Sequence, residues 1–156
     1  MKRLLSALTV AATMFANSAS AFDPDDLQKL KDTNECVECD LSEAFLSETD
    51  LTGADLRKAK LMGIFLTETN LRGAFLSEAD LRGAFLREAE LRETDLKGAD
   101  LNKASMVGAD LSNADMSDAD LSGANLTNAD LSKATMKGVI LCNTTMPDGS
   151  VIYSGC

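Results

Sequence analysis

The stretch Leu76–Leu96, LSEADLRGAFLREAELRETDL, places leucine at positions 76, 81, 86, 91 and 96, with a small residue two before each of the last four: Ala79, Ala84, Ala89 and Thr94. A hydrophobic period of five fits neither regular element. In an α-helix five residues advance about 500°, so the leucines would scatter around the cylinder. In a straight strand an odd step sends successive leucines to opposite faces. All of them reach one interior only if the chain turns about once per repeat.

Outward from this stretch the register runs without a slip from Leu41 to Met146, 22 consecutive centres that are all Leu or Met. Two residues before the centres stand 15 Ala, four Thr (Thr49, Thr69, Thr94, Thr144), Cys39, Ile64 and Val139. The residue just before the centre is usually Asp or Asn, and the two after it are mostly Ser, Thr, Arg, Lys, Glu, Asn or Gly. Centre and centre-minus-two share one side of a short extended segment, and the polar residues that follow make the corner. One large and one small apolar group per repeat fill a narrow interior, and successive turns of the coil pair as parallel strands. A disordered tract would not keep this register.

Units such as Ala54-Asp55-Leu56-Arg57-Lys58 and Ala129-Asp130-Leu131-Ser132-Lys133 resemble the pentapeptide-repeat family, A(D/N)LXX, over residues 39–148. The resemblance implies an all-β solenoid, a right-handed quadrilateral parallel β-helix in which four repeats make one coil and residues 20 apart stack. On that geometry the 22 repeats make about 5.5 coils, roughly 26 Å of rod at a ladder spacing of about 4.8 Å.

A solenoid exposes unpaired backbone at its two ends. Residues 22–38 read as an N-terminal capping segment with a short helix: Asp23 as N-cap, Pro24 at the first helical position, acids early, lysines late, and Leu27 and Leu30 towards the first coil. Residues 149–156 read as a C-terminal cap over the last coil, after the turn signal Pro147-Asp148-Gly149.

Residues 1–21 read as a secretory signal peptide. Lys2 and Arg3 precede an apolar stretch, and Ala19-Ser20-Ala21 is a small-x-small cleavage site. The stretch is too short and wrongly flanked for a membrane anchor. The mature protein is expected in an extracytoplasmic compartment (periplasm, thylakoid lumen or medium), without membrane association. Losing Lys2 and Arg3 takes the net charge from −10 to −12, a surface that repels nucleic acid and anionic lipid.

Four cysteines in an exported chain indicate two disulfides. Given the rod, Cys36 and Cys39 sit at one end and Cys142 and Cys156 at the other. A disulfide needs Cα atoms within about 7 Å, so bridges between the ends are excluded, as is a four-cysteine zinc site. Cys142–Cys156 is expected to staple the C-terminal segment. For Cys36-Val37-Glu38-Cys39 a structural disulfide or paired buried thiols is favoured over a redox or metal role. A CxxC thiol is activated at a helix N-terminus, whereas this pair follows the helix and enters a β-coil.

With stacking every 20 residues, Phe45, Phe65 and Phe85 form a column that ends at Ser105, with Glu48, Glu68 and Glu88 parallel to it and Phe75 on the opposite face. Neighbouring repeats place Asp where these Phe stand, so the rings point outward. Exposed rings rimmed by acids mark an interface. Between Ala104 and Ser132 lie five Asp (110, 115, 118, 120, 130) and no Lys or Arg. No segment has EF-hand ligand spacing, so no metal is expected.

The chain has no His, hence no His general base or Ser-His-Asp triad. A solid Leu/Ala core offers no pocket, and no Gly-rich phosphate loop appears. The expectation is a non-enzymatic scaffold or protein-interaction module, a monomer or weak homo-oligomer with an unknown protein partner, no cofactor and no nucleic acid. Two alternatives stand beside it. Some members of the family imitate duplex DNA and inhibit DNA gyrase; the acidity agrees with that role, but the leader and the dispersed arginines do not. A thiol redox role would rest on Cys36 and Cys39.

Overall fold

The structure is a computed structural model and describes residues 21–153, 155 and 156. The expected leader lies outside these residues, apart from Ala21. From Glu35 to Thr145 a continuous ladder of parallel bridges joins residues 20 apart, beginning at Glu35–Asp55 and ending at Asn125–Thr145. Bridged positions step by five, so each coil has four sides. The expected parallel strands are only one residue wide, because a corner follows every bridge. The ladder also starts earlier than the repeat reading placed it. Residues 35–38 belong to the first coil, with Cys36 as a fully buried centre, and not to the N-terminal segment.

The backbone accounting of one repeat explains its sequence. Leu51 N–H donates to Asn70 O at 2.7 Å, Gly53 N–H to Arg72 O at 2.9 Å, Ala54 N–H to Leu51 O at 3.0 Å and Asp55 N–H to Asn34 O at 3.0 Å. The remaining donor, Thr52 N–H, is bonded by the side chain before the centre, Asp50 Oδ1, at 3.0 Å. The same bond recurs from Asp40, Asp80, Asp110, Asp120 and Asp130. Asp or Asn stands there because a short side-chain oxygen can reach the N–H two residues on. The second corner residue is left-handed, φ 55° at Glu88 and 66° at Gly53, as the third position of a type II turn requires.

Inside, every centre from Leu41 to Leu126 is at most 6% exposed, and each such leucine contributes roughly 2 kcal/mol of apolar burial. Thr replaces Ala inwardly only where its hydroxyl is bonded. Thr69 Oγ1 donates to Leu46 O at 2.7 Å, Thr144 Oγ1 to Leu121 O at 2.7 Å, and Thr94 Oγ1 to Leu91 O. No described buried side-chain polar atom lacks a partner.

At the N-terminal end, α1 spans Pro24–Thr33. Asp23 Oδ1 accepts from Asp25 N–H at 2.9 Å, and left-handed Asn34 closes the helix, its N–H on Leu30 O at 2.8 Å. Ten residues make a marginal helix in isolation. Docking holds this one: Leu30 is fully buried, Leu27 packs on the core, Asp23 N–H donates to Asp40 O at 2.9 Å and Asp40 N–H to Asp26 Oδ2 at 2.8 Å. The other end differs from the expected lid. After Met146 the chain reverses, and β2, Val151–Ile152, pairs antiparallel with β1, Thr144–Thr145. The last segment therefore lies along one side of the coil. Leu131, Met136 and Leu141 stay half-buried, and among the described residues Leu131 and Met136 N–H have no backbone acceptor.

Candidate functional site

Phe45, Phe65 and Phe85 occupy successive bridges of one face. The ladder spacing forces their rings into a parallel stack, with centroids 4.5 Å and 4.8 Å apart and planes within 7°. Phe45 is 75% exposed and Phe85 44%, while Phe65 between them is half-buried. Phe75, 47% exposed, stands on a different face between Asp55 and Asp95. Each ring of the column takes the place of an Asp or Asn acceptor. The N–H of Ser47, Thr67 and Arg87 consequently lack the side-chain bond that Thr52 has. Three aligned repeats forgo this side-chain bond to the corner N–H and display an aromatic ring, while their ladder bonds stay intact.

The column has two unlike flanks. On one side Glu48, Glu68 and Glu88 hold left-handed corner positions in line, with Arg87 Nε 3.0 Å from Glu88 Oε1. On the other side is a hollow of about 550 Å³, walled by Phe65 and Phe85 and bordered by Met62 and Arg82. Its floor is Gly63 and Gly83, stacked at the corner that precedes the face. Sequence reasoning missed this hollow. The signal was two glycines 20 apart, each two residues before a Phe of the column.

At the hollow Arg82 is tied down, and on other faces several charges are held in the same way. Arg82 donates to both oxygens of Asp80, Nε at 2.7 Å and Nη2 at 2.6 Å, and lies 3.6 Å from Asp100. Arg57 holds Asp55 in the same fork, and Lys97 lies 3.1 Å from Asp115. The side-chain and backbone donors of Thr52 hold Asp50 below the ordinary carboxylate range, and those of Ser132 do the same for Asp130. Asp80 is lowered chiefly by the Arg82 guanidinium.

Cys36 and Cys39 are joined at 2.06 Å and are almost fully buried, and Cys142 and Cys156 are joined at 2.07 Å at the opposite end. Asp26 lies against the first pair, its carboxylate within 4.8 Å of both sulfurs. While bridged, these sulfurs are not thiolates and offer no metal ligation. No helix among the described residues is long and apolar enough to cross a membrane.

A four-sided coil with a one-residue ladder on every side defines a pentapeptide solenoid. The pentapeptide-repeat family model matches residues 35–67, 69–108 and 104–146, and the chain belongs to that family. Among solved structures it is similar to Rfr23, a pentapeptide repeat protein of the cyanobacterium Cyanothece 51142. The identity is 27%, over 74% of this chain and 92% of that one, with a TM-score of 0.63. It is also similar to alr5209, a pentapeptide repeat protein of Nostoc Pcc 7120, at 38% identity over 51% of this chain and 66% of that one, TM-score 0.51. These likenesses imply the right-handed, quadrilateral β-helix. No curated protein matches the chain.

Proposed function

We propose that the protein is an exported, non-enzymatic scaffold that binds a protein partner through the face carrying Phe45, Phe65 and Phe85. The observation that carries this reading is a column of three aligned rings, two of them exposed, at positions where most repeats carry a turn acceptor. Aligned rings at three successive coils on one face exchange a turn hydrogen bond for an apolar patch at the surface, which fits selection for contact. Docked α1 and the Cys142–Cys156 staple are devices against fraying and end-to-end association in this reading, and no cofactor or metal takes part. The absence of His and the outward, convex placement of the carboxylates support a binding role over catalysis.

Nucleic-acid mimicry is less well supported, because Arg57, Arg82 and Lys97 pair with aspartates and break up the negative columns. Thiol redox chemistry is less well supported too, since Cys36 and Cys39 are 0% and 3% exposed beneath α1. The deciding experiment is a pull-down from native extracytoplasmic extract with the mature protein and a Phe45→Ser, Phe65→Ser, Phe85→Ser variant. A partner retained by the first and lost by the folded second supports the proposal. The same partner on both would move the function elsewhere on the rod.

A further inference from the structure

The hollow beside the phenylalanine column has two ends, and they carry opposite charges. Most corners in the repeat bear a side chain that leans onto the next coil. Thus Glu88 Cγ lies 3.3 Å from where a Cβ on Gly108 would stand, and Lys103 Cγ 3.2 Å from one on Gly123. Gly63 and Gly83 carry no side chain of their own to lean onward, so the shingling of this column stops after Glu43. A Cβ on Gly83 would meet nothing within 4 Å, and one on Gly63 only Glu43 Cγ at 3.4 Å. The result is a trough along the rod axis with Phe65 and Phe85 on one side and Met62, 46% exposed, on the other.

The corner column continues as Glu43 before the two glycines and Lys103 after them, and both line the trough. Neither makes an ion pair among the described residues, whereas Arg82 on the rim is already neutralised by Asp80 and Asp100. The trough therefore offers an apolar middle, a free carboxylate at one end and a free ammonium at the other. Glu43 and Lys103 are three coils apart, about 14 Å at the ladder spacing, which an extended chain covers in about four residue steps.

We propose that this trough binds an extended peptide segment with a basic residue at the Glu43 end, apolar residues against Phe65, Phe85 and Met62, and an acidic residue at the Lys103 end. The inference rests on the proposal of partner binding at this face and specifies the partner's chemistry. Opposite charges at the two ends decide which segments fit, since a like charge placed at either end is repelled.

The probes are three fluorescent, terminally capped five-residue peptides: Arg-Leu-Val-Leu-Glu, and its relatives with Arg at both ends or Glu at both ends. By fluorescence anisotropy the wild-type protein is expected to prefer the mixed-charge probe by at least about tenfold. Glu43→Lys should move the preference to the probe with two Glu, and Lys103→Glu to the probe with two Arg. Gly83→Glu should abolish binding of all three without loss of fold, because Glu already takes the same left-handed corner at 48, 68 and 88. Absence of a charge preference, or binding that survives Gly83→Glu, would overturn the inference. So would self-association of the wild type that Gly83→Glu removes, which would place a second copy in the trough. If the triple Phe variant loses its extract partner while Gly83→Glu keeps it, the face proposal survives and the trough does not.

Discussion

Asp or Asn before a centre performs a task that Phe cannot: it accepts the one N–H of the repeat that the ladder leaves over. Asp120 shows this with a single bond, its Oδ1 2.8 Å from Ser122 N. Removing it by Asp120→Ala is expected to cost about 0.5–1 kcal/mol, read as a lower Tm. Phe85→Asp restores such an acceptor for Arg87 N–H while losing one stacked ring, a contact worth about 0.5–1.5 kcal/mol. The two effects oppose, so its Tm should fall less than that of Asp120→Ala. A larger fall would mean that the ring column is a stability device. The same bonds set the acid response. Asp50, Asp115 and Asp130 are held below their ordinary value of 3.8 by hydroxyl and backbone donors. A carboxyl whose pKa is lower folded than unfolded stabilises the fold fully above the unfolded value, and the contribution disappears as pH falls through the folded one. Melting followed by circular dichroism should therefore show Tm dropping as pH goes from 4 to 2; an unchanged Tm over that window would contradict this role for the aspartates.

At the scale of elements, the two ends of the rod are built by different means. Helix α1 closes the first coil by burying Leu30 and exchanging hydrogen bonds with Asp40. The C-terminal hairpin covers one side only and is held by Cys142–Cys156, 14 residues apart, against a separation of three for Cys36–Cys39. A longer closed loop restricts the unfolded chain more, up to about 3 kcal/mol for a loop of this size. The Cys142→Ser, Cys156→Ser pair should thus lower Tm more than Cys36→Ser, Cys39→Ser, and hydrogen exchange should rise first at Thr144–Thr145 and Val151–Ile152. Equal losses would indicate that burial of Cys36 and Cys39 in the core outweighs loop entropy. The start of α1 was legible because Asp23, Pro24 and the early acids are local signals. The incomplete covering at the other end was not. Pro147 and Gly149 announce a turn but do not say on which side of the coil the chain returns.

The whole molecule is close to one-dimensional: each coil bonds only to those above and below it. Two shifts can therefore be separated, five residues for the core and 20 for the faces. Deleting residues 91–110 removes one full coil, keeps both registers, and should leave a folded protein with its phenylalanine column intact. Deleting residues 51–55 keeps the core register but turns the faces by one side, so that Phe45 stacks above Asn70 in place of Phe65. That variant should keep its far-ultraviolet spectrum and lose binding at the face. Retained binding would detach function from the column, and an unfolded product would show that surface columns contribute more to stability than the core period does.

The sequence by itself determined the interior, the corners and which residues share a column. A period of five admits one inward set, and family resemblance turns that period into a four-sided coil on which Phe45, Phe65 and Phe85 align. Only the tertiary structure decided how neighbouring coils cover one another. Whether Gly63 and Gly83 leave a trough depends on how far Glu43 leans over Gly63 and on the open space above Gly83. Whether Arg82 is a free charge depends on Asp80 and Asp100 within its reach. Both are contacts between coils at the surface. There the repeat constrains position and leaves residue type free: two glycines 20 apart mark where a gap can form, and the contacts between coils decide whether it does.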